Sequence, residues 1–198
     1  MNGFVDYSKN LDMIKTRIAN KFDIKGVLTL QEKYLYKNLT EQERDSGFVT
    51  TPFTIPQIEE IIAQDGLFIA EHETSIIAYA FAGSWEYFKQ WDIFTFMISR
   101  FPKLSFNEKE ITTKNSFQYG PVCIDKNYRG QGVLNLIFEE MRIELFKKYS
   151  VSITFINKIN IVSEKAHTKK LGWQIIDEFK FNNNTYITLA FDMKNICY

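Results

Sequence analysis

Cysteine, net charge and long apolar runs are all scarce in this chain, and each scarcity closes off a class of protein. Two of the 198 residues are cysteines, Cys123 and Cys197. Two thiols build neither a disulfide framework nor a metal cluster, so no metal is expected. They fit a reduced, cytoplasmic setting. Cys123 sits in an apolar run, where a free thiol acts as a small hydrophobe. Lys plus Arg and Asp plus Glu number 24 each, for a formal net charge of zero. A neutral chain has no bulk attraction for nucleic acid or for an anionic membrane. No window approaches ~18 uninterrupted apolar residues, the length that suggests a membrane span. Met1 is not followed by a basic and then a long apolar stretch, so no secretory signal is expected. Internal repeats, low-complexity tracts and linkers are also missing, and residues 1–198 read as one domain.

What is present is an ordinary globular balance, 45% apolar and 24% charged, enough to build one substantial core. The 18 phenylalanines and ten tyrosines stand out. Residues 1–46 read as a largely helical N-terminal part, with Leu11, Ile14 and Ile18 on one face of a short amphipathic helix. Thr54 and Gln57 have the spacing of a capping box and open a helix whose buried face is expected to carry Ile55, Ile58, Ile61 and Ile62. Leu67–Glu71 and Ser75–Gly83 read as a hairpin. Residues 84–114 follow as an aromatic helical insertion. Ser84 caps a helix bearing Tyr87, Trp91, Phe94 and Ile98 on one face. A helix aromatic on several sides is deeply buried, lines a cavity or meets a partner. Asn115–Ile124 is the next strand, and Pro121 in it predicts a bulge or an edge. Val151–Ile156 is a β-branched run suited to a buried parallel strand. A short helix over Ser163–Lys170 and a hairpin around Asn182–Asn184 complete the chain.

The stretch from Tyr119 to Leu145 organises the rest. The strand Val122–Ile124 feeds a turn, Arg129-Gly130-Gln131-Gly132, and a helix begins at once. Leu134, Ile137, Phe138, Met141 and Leu145 share one face of that helix. Glycines let backbone approach a ligand closely. The first turn of a helix offers unpaired N–H groups at the positive end of its dipole, where phosphates bind well. A Walker A loop is not matched, and Asn135 stands where a dinucleotide fingerprint needs its third glycine.

The turn resembles the coenzyme A site of the GNAT family of N-acetyltransferases, whose signature is Q/R-x-x-G-x-G/A. The six positions here are Asn127, Tyr128, Arg129, Gly130, Gln131 and Gly132. Both glycines match, while Asn127 departs from the first position. A second match lies downstream. The family often shows an Asn after its fifth strand and a small helix ending in Tyr-x-x-x-Gly-Phe. Asn157 or Asn160 follows the strand here, and Leu171-Gly172-Trp173 ends the helix. The order of elements from about Gly47 to Met193 agrees with the family too.

The resemblance implies an α/β fold with a mixed central sheet of about six to seven strands, flanked by helices and carrying the insertion between its third and fourth strands. It implies acetyl-CoA as co-substrate, a primary amine of a small molecule, amino acid or peptide as acceptor, and direct transfer between them in a ternary complex. Val122, Cys123 and Ile124 would hold the pantetheine arm. Arg129, Gly130, Gln131, Gly132, Val133 and Leu134 would hold the pyrophosphate, with Asn160 nearby. The family's acid is a tyrosine at a position occupied here by Thr168. His167 beside it titrates in a suitable range. Tyr119 or Gln118 could order a water that removes the amine's proton. The insertion is expected to wall the acceptor pocket, with a homodimer contact as the alternative. A coenzyme A-binding module without catalysis, or an interaction protein docking through the aromatic helix, are the competing functions.

Overall fold

A computed structural model describes residues 13–197. The sheet strands are β1 Ile14–Ile18, β2 Leu67–His72, β3 Ser75–Gly83, β4 Ser116–Ile124, β5 Val151–Asn157, β6 Gln174–Phe181 and β7 Asn184–Asp192. The helices are α1 Ile24–Tyr34, α2 Glu41–Arg44, α3 Ile55–Ile62, α4 Trp85–Phe88, α5 Asp92–Arg100, α6 Val133–Leu145 and α7 Ile161–Lys165. The seven strands form one sheet in the order β1-β2-β3-β4-β5-β7-β6. Every neighbouring pair is antiparallel except β4 and β5. The mixed α/β architecture expected from the sequence is present, including the insertion between β3 and β4.

Helix α6 covers one face. Its Ile137, Phe138 and Met141 are fully buried against Phe68, Ala70, Ala78, Ala80 and Phe117. The alanines at the centre of β2 and β3 keep that surface low, so the helix lies close on the sheet. The opposite face carries α1, α3 and the insertion. Gln57 of α3 closes the expected cap, accepting from the Thr54 N–H at 2.9 Å.

The N-terminal expectation needs correction. Ile14–Ile18 is a strand, not a helix, and residues 13–46 open with it; Leu11 lies outside the described residues. Ile14, Thr16 and Ile18 satisfy a two-residue repeat as well as a helical one. Pairing with β2 decides between them, and Thr16 Oγ1 donates to Glu140 of α6 at 3.1 Å. The insertion is also not one helix. It breaks between α4 and α5 and continues into a small hairpin, Ser105–Phe106 with Lys109–Glu110.

Two irregularities in β4 shape the centre of the sheet. Ala80 lies opposite Val122 but Ala82 lies opposite Tyr119, so β4 holds one extra residue around Gly120-Pro121. That is the bulge expected from a proline that cannot donate to the ladder. On its other edge β4 pairs with β5 only over Ser116–Gln118 and Val151–Ile153. Beyond Gln118 the two strands part.

Candidate functional site

The turn between β4 and α6 has the backbone of an anion cradle. Gly130 and Gly132 are left-handed, with φ of 77° and 87°. Most side chains resist that conformation, at roughly 1–2 kcal/mol per residue. The two glycines flank Gln131. Among the described residues, nothing accepts from the N–H groups of residues 130–134. Those donors face the positive end of a 13-residue helix. They border a cleft of about 490 Å³, which Arg129 and Lys170 also line. No Asp or Glu is among its lining residues.

The adjoining wall is the free edge of β4. The Asp125 N–H donates to Ile77 O at 2.8 Å. Antiparallel pairs alternate, so Cys123 exchanges hydrogen bonds with Tyr79 while Val122 and Ile124 turn theirs away from β3. Their amides therefore point into the gap that β5 has left. Arg129 Nε confirms the direction, donating to Ile124 O at 2.8 Å. Cys123 lines the cleft as a protonated thiol, because burial pushes it up to about 12. It is a wall, not a nucleophile.

Residues 46–49 form a strap across the cleft, a feature that sequence reasoning missed. Arg129 Nη1 donates to Ser46 O, and the guanidinium lies 4.7 Å from the Tyr34 ring centroid. From the opposite wall, Asn160 Nδ2 donates to Phe48 O at 3.2 Å. The Asn160 side chain also caps α7, accepting from the Ser163 N–H at 3.2 Å. Of the two candidate asparagines, Asn160 thus lies in the cleft and Asn157 ends β5 beside a second cavity.

This second cavity occupies the β4–β5 gap and shares Phe48, Val122, Asn160 and His167 with the first. His167 faces both. A π-turn over Ala166–Lys170 follows α7, with the Leu171 N–H reaching back to Ala166 O at 3.3 Å. The extra residue in that turn rotates His167 inward. Its Nδ1 lies 2.7 Å from Ser163 O. A carbonyl only accepts, so Nδ1 carries the proton and Nε2 is a bare acceptor. Among the described residues Nε2 has no partner.

Several expectations change here. His167 does not titrate near neutrality, because burial lowers it to about 4. Thr168 is turned away: its hydroxyl donates to Glu164 O at 2.9 Å, and it lines neither cavity. Tyr119 stacks on Trp173 at 5.3 Å and stands edge-on to Phe138, fully buried. Burial raises its hydroxyl far above the usual range, so it stays protonated. Gln131 does not line the cleft; its Nε2 donates to Asn127 O at 2.6 Å. Val122, Cys123, Ile124, Arg129, Gly130, Gly132, Val133, Leu134 and Asn160 do line it. The insertion contributes nothing to either cavity. Thr154, Phe155 and Tyr186 were also missed. Nor did sequence reasoning show which β5 residues face the gap between β4 and β5.

The fold is shared with solved acetyltransferase structures, one of them described as of the GNAT family. A Salmonella typhimurium protein, yncA, solved with its cofactor acetyl-CoA, shares the fold at a TM-score of 0.60 and 12% identity, covering 91% of this chain and 94% of that one. A GNAT-family acetyltransferase of Streptococcus agalactiae matches at 0.63 and 11%, over 90% and 95%. A ribosomal-protein-alanine N-acetyltransferase of Brucella melitensis matches at 0.57 and 18%, over 90% and 99%. No protein-family model matches the chain, and no curated protein matches it in sequence.

Proposed function

We propose that this protein moves an acetyl group from acetyl-CoA to a primary amine of a small molecule, by direct transfer with both bound. The observation that carries the proposal is the run of unpartnered amides at 130–134, at a helix start beside Arg129 and Lys170. Such a set suits a pyrophosphate. The cleft volume of about 490 Å³ falls within the ordinary range of cofactor sites.

Acetyl-CoA, when bound, supplies a thioester already activated for attack. The chain's own contribution is then mostly placement. The amides of Val122 and Ile124 hydrogen-bond the pantetheine arm, and one of them polarises the thioester carbonyl. The gap between β4 and β5 admits the arm. The amine approaches from the second cavity, where His167 Nε2 accepts one of its N–H groups and directs its lone pair. A nitrogen that protonates at about 4 does not keep the proton, so the proton passes to water. Among the described residues lining the two cavities, none is an acid placed to protonate the leaving sulfur. An ordinary thiol, of pKa ~8.5, leaves as thiolate near neutral pH without one.

The test is thermal unfolding with and without acetyl-CoA, followed by thiol release on a panel of amines. Stabilisation together with amine-dependent thiol release is expected. Stabilisation without release on any amine would make the protein a coenzyme A-binding module. No stabilisation would leave an interaction protein.

A further inference from the structure

We infer that the acceptor is an amine on an uncharged, aromatic or apolar body, and not a polyamine, a guanidine or an amino acid. The inference rests on the transfer reading above and concerns the second cavity alone. Beyond the residues it shares with the first cavity, its walls include Thr50, Tyr119, Thr154, Phe155, Asn157 and Tyr186. Among the described residues, no Asp, Glu, Lys or Arg lines it. His167 adds no charge, since it is neutral with Nε2 as a bare acceptor.

Each kind of acceptor meets this lining differently. A second ammonium or a guanidinium would lose its water and gain no counter-ion, which is costly for an unpaired charge. The α-carboxylate of an amino acid would fare no better, because the cations Arg129 and Lys170 line the other cavity. An apolar ring loses nothing and meets flat partners. Phe155 and Tyr186 stand edge to face with centroids 5.5 Å apart, and Tyr186 stacks on Phe179 at 5.3 Å. Phe94 of the insertion backs Phe155 at 5.2 Å. The aromatic wall is held in place from behind, as a rigid recognition surface needs. Lys158, next in sequence to Asn157, is bound to Glu178 at 2.8 Å on the surface.

Three probes decide the matter: 2-phenylethylamine, spermidine and L-phenylalanine. Each is titrated into the protein saturated with coenzyme A, and each is tested for thiol release with acetyl-CoA. 2-Phenylethylamine is expected to bind, with a kcat/KM at least tenfold above the other two. Equal or better binding or turnover of spermidine or phenylalanine would overturn the inference while leaving acetyl transfer intact. Coenzyme A binding without turnover would instead remove the transfer reading, and the binding titration still decides the preference. Asn157→Asp places a carboxylate in the cavity at nearly the same shape. It should shift the preference toward spermidine at least tenfold. An unchanged ratio would put the acceptor elsewhere.

Discussion

Gly130 separates what the turn needs from its backbone and what it needs from its charge. A Cβ built there meets nothing within 4 Å, although φ is +77°. Gly130→Ala therefore pays only the left-handed strain, roughly 1–2 kcal/mol, or a few degrees in Tm. Gly130→Glu pays the same strain and also sets an anion beside amides suited to an anion. Both variants should fold. Titration with acetyl-CoA should show Gly130→Glu weakened at least tenfold relative to Gly130→Ala. Equal affinities would mean that the diphosphate is held elsewhere. His167 offers a second residue-scale test, through pH. It protonates at about 4 when folded, against an ordinary 6.5. Between those values the unfolded chain takes up a proton that the folded chain refuses, so stability falls as pH falls. The full gap is about 3 kcal/mol, and about 2 of it is lost between pH 7 and pH 5. Urea unfolding at those two values should show this loss in the native protein but not in His167→Gln.

Elements show what the sequence could and could not tell. The anion turn was legible because glycine, a strand and an amphipathic helix each leave a local signal, and here they are consecutive. The bulge at Gly120-Pro121 was legible for the same reason. Ile14–Ile18 was misread because its spacing fits both a helix and a strand, and pairing with a strand more than fifty residues away decides it. The inward turn of His167 was hidden because a π-turn has no sequence signature, so Thr168 took its place in the family comparison. The strap at 46–49 was hidden because its anchors come from distant residues. Arg129 is the main one, bonded to Ser46 O and Ile124 O at once. Lys cannot reproduce that fork. Hydrogen bonds from a charged group contribute about 1.5–3 kcal/mol, so Arg129→Lys should loosen the strap. Val49 reports it, since its N–H donates to Tyr34 O at 3.0 Å. Hydrogen exchange at Val49 should accelerate at least tenfold in Arg129→Lys, while amides within α6 keep their protection. Unaltered exchange at Val49 would show that the strap holds without this anchor.

At the scale of the whole molecule, the abundance of aromatics now has a place. The insertion lines neither of the two cavities. Trp85, Tyr87, Phe88, Phe94, Met97 and Phe101 are buried in the core on the α1 and α3 face of the sheet. Yet the same packing reaches the site, because Phe94 stands edge-on to Phe155 and Phe155 lines the second cavity. On the proposed assignment of the second cavity, the insertion would act on the acceptor side from one layer behind. Phe94→Ala should cost about 3–5 kcal/mol, the usual penalty for removing a buried ring. That loss lies within the ~5–15 kcal/mol stability of ordinary domains, so the variant is to be compared below its unfolding transition. With Phe155 no longer backed, the KM for an aromatic amine should rise several-fold. The affinity for acetyl-CoA should stay within twofold, because the 130–134 cradle lies on the other face and shares no contact with Phe94. Proportional losses of both affinities would mean that the insertion supports the sheet as a whole. A change confined to the amine would tie the aromatic layer to acceptor recognition.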